Sequence, residues 1–254
     1  MTRKIALIPV FNEESTLVPV AESVAPMVDL VLLVDDGSTD ASLERAVSLS
    51  RRRENVEVLR LSKNCGMSAA LREGFLHLLL RMRSGELDPG DILLTLDADG
   101  QHDSAEIEAL CRHLDARGLD VALTRRDFSL YPGYKRIGNL LMTLWGRIWS
   151  GYRYSDIESG FRALRLRVLP PLLDYFTGYR YSCAQEIAVL TARLGFRVDN
   201  SFVTVIRRYR SQTGSRDVFI NAWLGFRAYT RWLLDRKVPP RPSMARIAAP
   251  PEPC

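Results

Sequence analysis

The sequence predicts an α/β fold, a mostly parallel sheet with helices on both faces, and three features of its first half predict it. Short, predominantly apolar stretches recur at residues 5–9, 30–34, 56–61, 91–96 and 119–124, the first two of them without a polar residue. Such runs suit strands buried on both faces rather than strands with one wet side. Between them lie longer stretches with helical spacing, so strand and helix alternate about five times, the pattern of a parallel sheet with crossover helices. Polar turn residues cluster just after the runs, which places them together on one rim of that sheet.

The elements follow in order. Strand 5–9 gives way at Asn12-Glu13-Glu14-Ser15 to a helix reaching about residue 25. Strand 30–34 ends in Asp35-Asp36-Gly37-Ser38-Thr39-Asp40, where Gly37 allows a tight turn and Ser38, Thr39 or Asp40 caps a helix to about 53. Strand 56–61 leads through Lys63-Asn64-Cys65-Gly66 to a helix ending near 83, then a loop over 85–90 and the central strand 91–96. Asp103 or Ser104 starts another helix, and 119–124 is a further strand.

The second half is less regular. Residues 137–149 are strongly apolar, with Leu140, Leu141, Met142, Leu144, Trp145, Ile148 and Trp149 flanked by Lys135, Arg136 and Arg147. That stretch either packs in the core or lies on lipid; it is too short to span a bilayer. Residues 155–162 read as a turn, 182–194 as a helix carrying Gln185-Glu186, and 196–206 as a strand after the stop at Gly195. A last helix over 217–236 sets Phe219, Trp223, Phe226, Tyr229 and Trp232 among Arg227, Arg231 and Arg236, a pattern suited to the core, to an anionic membrane or to closing over a site. One domain over 1–236 is expected, and 237–254 is a Pro-rich tail expected to be disordered.

Composition narrows the class of protein. Among 254 residues, 46% are hydrophobic and 26% charged, which suits a globular domain. The net charge of +5 points to acidic partners such as nucleotides, phosphates or anionic lipid. Cys65, Cys111, Cys183 and Cys254 lack the paired spacing of a zinc cluster or disulfide framework, so a reducing compartment is expected. Met1-Thr2-Arg3-Lys4 runs straight into a strand, with no signal peptide, and the expected location is the cytoplasm.

The chemistry centres on Leu96-Asp97-Ala98-Asp99-Gly100-Gln101-His102, beyond the central strand. Two carboxylates one residue apart repel each other unless a cation or hydrogen bonds offset the charge. With Gln101 as a third oxygen donor, the set suits Mg²⁺ or Mn²⁺ rather than zinc. An acidic turn solvated by water is the plainer reading. The gathering of the segments 9–13, 35–38, 97–101 and Thr124-Arg125 on one rim favours the metal. No glycine-rich dinucleotide fingerprint and no Walker-type lysine loop is present. A cation held against a diphosphate would replace those cradles, with Asp36 and the loop after Pro9 on the nucleoside. The basic cluster Arg207-Arg208-Tyr209-Arg210 with Arg216 fits small-ligand or lipid phosphate better than nucleic acid, which an acidic rim would repel.

The ordered set Ile8-Pro9-Val10-Phe11-Asn12-Glu13-Glu14, Val34-Asp35-Asp36-Gly37-Ser38-Thr39-Asp40, Asn64-Cys65-Gly66, Asp97-Ala98-Asp99-Gly100-Gln101-His102, Asp156-Ile157-Glu158-Ser159-Gly160-Phe161-Arg162 and Arg210 with Ser215-Arg216 resembles family 2 of the inverting glycosyltransferases. It is most similar to the branch of dolichol-phosphate mannose synthases and bacterial polyprenyl-phosphate glycosyltransferases. The resemblance implies a GT-A fold, a Rossmann-like sheet with a nucleotide-sugar-binding half (1–125) and an acceptor-binding helical extension (126–236). It implies that Pro9, Phe11, Glu13, Val34 and Asp36 contact the nucleoside of a GDP- or UDP-sugar. It further implies that Asp97, Asp99 and Gln101 hold Mg²⁺ or Mn²⁺ on the diphosphate, with the Ala98 backbone close by. Arg125, Arg136, Arg210 and Arg216 would grip the phosphates of donor and polyprenyl-phosphate acceptor. Two departures stand out: Arg216 replaces a lysine usual in the family, and the glycine of the basic loop is shifted, with Thr213 in its place and Gly214 next.

The expected reaction moves a sugar from the nucleotide to a lipid phosphate with inversion, at the cytoplasmic face of a membrane reached by peripheral contact or through a membrane partner. A phosphate acceptor is already anionic and needs orientation more than a base. A hydroxyl acceptor on a saccharide, protein or metabolite is the alternative, and Asp156 or Glu186 would then be the catalytic base beside Asp99. Helix capping and a surface acid are the plainer roles for those two. His102 is expected to support the site rather than react. A non-catalytic module of the receiver type, with Asp35-Asp36 as its acidic pair, is too small to account for the chain.

Overall fold

The computed structural model describes residues 2–128, 131, 133–178, 182–205 and 215–235, without the side chains at 134, 135 and 215–222. The apolar runs of the first half fold as β1 (Lys4–Val10), β2 (Leu30–Asp35), β3 (Val56–Arg60), β4 (Ile92–Thr95) and β5 (Val121–Leu123). The helices between them are α1 (Leu17–Val24), α2 (Ser42–Arg52), α3 (Met67–Arg83) and α4 (Glu106–Ala116). The second half contributes β6 (Arg125–Arg126), α5 (Gly133–Ser150), β7 (Arg162–Arg165), α6 (Leu169–Leu173), α7 (Cys183–Arg193), β8 (Val198–Asp199), β9 (Val203–Thr204) and α8 (Ser215–Asp235).

Seven strands form one sheet in the order β3-β2-β1-β4-β7-β5-β8, and β6 pairs with β9 in a small parallel ribbon. Every pairing in the main sheet is parallel except those of β7, which runs antiparallel to both β4 and β5. Successive side chains of a strand point to opposite faces, so the continuous apolar runs fill two cores. On one face Ile5, Leu7, Leu32, Val34, Leu93 and Leu164 meet α3, α6, α7 and α8. On the other, Ala6, Ile8, Val31, Leu33, Leu94 and Ala163 meet α1, α2 and α4. Each fully buried Leu or Ile removes enough apolar surface from water to contribute roughly 1.5–3 kcal/mol. The strand order reverses between β1 and β4, so a crevice opens beyond their carboxyl ends, where open α/β sheets take their ligands.

Two expectations about the second half need correction. Residues 155–162 are not simply a turn: Arg162 opens β7, whose four residues carry an arginine at each end and therefore show no apolar run. The strand expected over 196–206 splits into β8 and β9. Asn200 causes the break. Its Nδ2 group reaches the carbonyls of Leu123 (2.8 Å), Thr124 (3.3 Å) and Asp156 (2.9 Å), and its Oδ1 accepts from the amides of Ser155 (2.7 Å) and Asp156 (3.1 Å). A side chain that satisfies so many backbone groups replaces the sheet ladder at that point.

The apolar stretch of α5 is divided between the core and the surface. Met142, Thr143 and Gly146 are buried, while Ile137, Leu140, Leu141, Leu144 and Ile148 are 41–62% exposed. Their spacing of three, four and seven places them along one side of the helix. In α8, Leu224, Ala228 and Trp232 are buried and Trp223 and Leu234 are exposed. Among the described residues, no helix is long and apolar enough to cross a membrane.

Replacing Asn200 with Ala leaves buried carbonyls at Leu123 and Asp156 without donors and should cost roughly 2–4 kcal/mol. Urea unfolding followed by circular dichroism measures this, and an unchanged midpoint would show that water replaces the side chain.

Candidate active site

Beyond β4 the chain turns at Asp97-Ala98-Asp99-Gly100-Gln101. Gly100 takes a positive φ of 74°, which carries the loop back over its own carboxylates. The Asp99 carboxylate accepts the Gln101 amide at 3.0 Å, and the Gln101 side-chain amide also closes on it. Asp97 is half-buried, with His102 Nε2 3.7 Å from its Oδ2. Burial opposes ionisation of Asp97, but His102, and then Arg162 and Arg126, outweigh it and hold this carboxyl below its ordinary value. Asp99 is shifted the other way, raised by burial and then by the charge of Asp97, with Gln101 opposing. The pair therefore repels as the sequence implies. A hard divalent cation suits these donors, since two carboxylates and an amide oxygen leave positions for phosphate oxygens and water. Among the described residues no group of three or more His, Cys, Asp or Glu converges on one point, so a bound ion would take its remaining ligands from elsewhere.

The residues expected to meet the donor lie at the ends of β1 and β2 and just beyond them. Phe11 is 36% exposed on the rim and Pro9 is half-buried. Glu13 is buried; its Oε2 accepts the Thr16 hydroxyl at 2.8 Å, and its backbone amide donates to Ser42 Oγ at 2.8 Å. The Asp36 carboxylate accepts the amides of Cys65 and Gly66, each at 2.8 Å, and so ties the Asn64-Cys65-Gly66 turn to the end of β2. Burial raises the Asp36 pKa, and those two amides work against the rise. Gly37 is forced by this packing, because a Cβ there would stand 2.5 Å from the backbone carbon of Lys63. Val34 and Ala98 are buried, so a ligand meets backbone at those positions rather than side chain.

On the acceptor side the structure separates the expected residues. Arg125 is exposed in β6, and Arg136, exposed on the first turn of α5, donates to the Tyr131 carbonyl at 3.0 Å. Arg210 lies outside the described residues, and of Arg216 only the backbone, in α8, is described. Asp156 and Glu186 are fully buried and occupied. Asp156 accepts Arg126 Nε at 2.8 Å, Arg126 Nη2 at 3.0 Å, and the amides of Arg126 and Glu158 at 3.0 Å. Burial works against its charge, yet Arg126 holds its pKa low. Glu186 accepts the Thr177 amide at 2.8 Å, the Thr177 hydroxyl, and Ser182 Oγ at 3.1 Å; burial raises its pKa, with Thr177 and Ser182 opposing. Neither stands as a free base. The surface-acid reading of Glu186 fails too, because α7 is buried along most of its length.

Sequence reasoning gave no role to three residues that shape this rim. Arg126, not its neighbour Arg125, forms the buried ion pair and also donates to Asn139 Oδ1 at 2.7 Å. Gly160 lies directly behind Asp97: a Cβ there would stand 2.1 Å from Asp97 Oδ2. Its carbonyl accepts the Thr95 hydroxyl at 2.7 Å, which locks this backbone to the end of β4. Arg162 is buried at the start of β7. The motif around Gly160 was the available signal, but only the fold shows that it faces Asp97. His102 behaves as expected, buried against the Phe161 ring at 5.4 Å between centroids.

Comparison with known proteins bears on this rim. The family described as glycosyl transferase family 2 matches residues 5–188. The chain is 30% identical over 217 residues to undecaprenyl-phosphate mannosyltransferase of Micrococcus luteus, covering 81% of this chain and 84% of that one. It is 30% identical over 176 residues to undecaprenyl-phosphate 4-deoxy-4-formamido-L-arabinose transferase of Salmonella choleraesuis, covering 66% of this chain and 50% of that longer relative. Among solved structures, glucosyl-3-phosphoglycerate synthase of Mycobacterium tuberculosis, in complex with Mn²⁺, UDP and glucosyl-3-phosphoglycerate, superposes with a TM-score of 0.61 at 18% identity, over 94% of this chain and 81% of the other.

Gly160→Ala should push the Asp97 carboxylate aside and leave the fold intact. Direct Mn²⁺ titration by paramagnetic resonance is expected to show at least roughly tenfold weaker binding, the loss of one charged ligand's geometry. Unaltered Mn²⁺ affinity would mean that the loop moves freely.

Proposed function

This chain belongs to glycosyl transferase family 2 and is a glycosyltransferase of the GT-A fold, and we propose that it moves a sugar from a nucleoside-diphosphate sugar to a polyprenyl phosphate with inversion at the anomeric carbon. The observation that carries the reading is the acidic loop beyond β4, with Asp97 and Asp99 set against each other at the switch point of the sheet. Asp97, Asp99 and Gln101 would hold Mg²⁺ or Mn²⁺. Such an ion, when bound, neutralises the charge that grows on the departing diphosphate.

The protein's own residues divide the remaining work. Phe11 offers an exposed ring to the base, and Asp36 shapes the floor of the nucleoside site through the amides of Cys65 and Gly66. Gly160 keeps Asp97 in place. Arg125 and Arg136 stand exposed on the side from which an acceptor phosphate would arrive, joined by Arg210 and Arg216 in this reading. A hydroxyl acceptor requires proton removal, but the carboxylates of Asp156 and Glu186 are already engaged. An acceptor that arrives ionised removes that requirement, and two relatives carry names that specify undecaprenyl phosphate.

The exposed stripe of α5 suits peripheral contact with a membrane where such an acceptor resides. The helix carries Lys135, Arg136 and Arg147 and no acidic residue, which favours anionic lipid.

Nucleoside diphosphate release from a panel of UDP- and GDP-sugars, with Mn²⁺ or Mg²⁺ and with or without polyprenyl phosphate, tests the reaction. Metal-dependent release that rises with the lipid is expected; release indifferent to the lipid would remove the proposed acceptor. Asp99→Asn should lower turnover by about 10²-fold or more with circular dichroism unchanged. The double change Leu141→Glu and Ile148→Glu should abolish sedimentation with phosphatidylglycerol vesicles while donor affinity holds, and vesicle binding equal to wild type would exclude α5 as the contact.

A further inference from the structure

Arg162 is 3% exposed, yet its side chain makes no hydrogen bond and no ion pair with any described residue. A buried guanidinium without a partner costs several kcal/mol, so such groups are ordinarily paired. Arg126, close by, follows that rule through Asp156. Arg162 has no such direct contact, and its charge is met only at longer range, by Asp97 and Glu158.

Its surroundings indicate the partner it lacks. In the sheet it lies opposite Thr95 of β4 and Leu123 of β5, at the rim, as the first residue of β7. Phe161 and Ala163 fill the core beneath α4, so alternation sends Arg162 to the face covered by α3 and α7. The amino-terminal ends of those two helices meet there, with the Cys183 amide donating to Ser68 Oγ at 2.9 Å. Helix amino termini carry partial positive charge and favour an anion, and here they add to a full one. Arg162 also lies close enough to Asp97, Glu158 and Cys183 to act on all three. It thus stands where segment 156–162 meets Asp97, the junction at which donor and acceptor phosphates would come together.

We propose that Arg162 is a substrate-binding residue whose guanidinium receives the phosphate of the acceptor, holding that anion against the sugar-bearing end of the donor. This rests on the phosphate-acceptor reading above. The planar fork suits two phosphate oxygens at once, and pairing with them would give the guanidinium direct hydrogen bonds.

The test uses Arg162→Met and Arg162→Lys. Without a structural partner to lose, the Met variant should melt at or above the wild-type temperature; melting several degrees lower would show that the guanidinium holds the fold together and would overturn the proposal. The KM for polyprenyl phosphate should rise roughly tenfold or more, as expected when a charge-assisted contact is lost. The Lys variant should recover part of that loss. Inorganic phosphate supplies a readout independent of the lipid: it should raise the melting temperature of the wild type and not of the Met variant. Equal shifts in both proteins, or none in the wild type, would overturn the role of Arg162. Wild-type turnover indifferent to polyprenyl phosphate, with the inorganic phosphate shift intact, would instead remove the lipid acceptor and keep the anion site.

Discussion

The buried pair of Arg126 and Asp156 holds the acceptor side of the rim to the sheet. Asp156 takes both the side chain and the backbone amide of Arg126, so segment 156–162 cannot drift from β6. Its Glu158 amide bond continues the constraint toward Gly160, whose carbonyl is locked by Thr95 and whose missing Cβ makes room for Asp97. A structural ion pair is thereby linked through the five residues Asp156 to Gly160 to the acid proposed to hold the metal. Removing one partner of a buried pair strands the other, at a cost of roughly 3–5 kcal/mol. At this site that cost would also appear as a misplaced Asp97.

Much of the fold was legible because parallel strands buried on both faces must be apolar throughout. Leu30 to Val34 and Ile5 to Ile8 have no polar position to obscure the pattern. What escaped notice was short and charged. Residues Arg162 to Arg165 form a central strand, but with four residues and two arginines they offer neither a run nor an alternation long enough to detect. The split of β8 from β9 was equally hidden, because it depends on where the Asn200 side chain finds its partners, in segments about 44 and 77 residues away in sequence.

The site divides in the same way. The opposed carboxylates of Asp97 and Asp99 beside Gln101 were legible because they lie in adjacent residues. For Asp156 and Glu186 sequence shows a carboxylate but not its hydrogen-bond partners, and in the structure both acids are engaged. The reverse holds for Arg162, which reads as one motif letter among several and gains meaning only from its burial without a hydrogen bond or ion pair to a described residue. Arg125 and Arg126 show how narrow the margin is: adjacent and chemically identical, one is exposed and the other is committed to an ion pair.

The antiparallel placement of β7 bears on how the protein is made. Strand β5 emerges from the ribosome some forty residues before β7 yet cannot join β4 without it, because β7 lies between them. Until residue 165 is available, β4 presents an unsatisfied edge of hydrogen-bonding groups, the kind of surface on which nascent chains aggregate. The amino-terminal half, although it carries the acidic loop, is therefore not a self-sufficient folding unit. Its sheet closes late in synthesis, through a long-range pairing of the slow-forming kind.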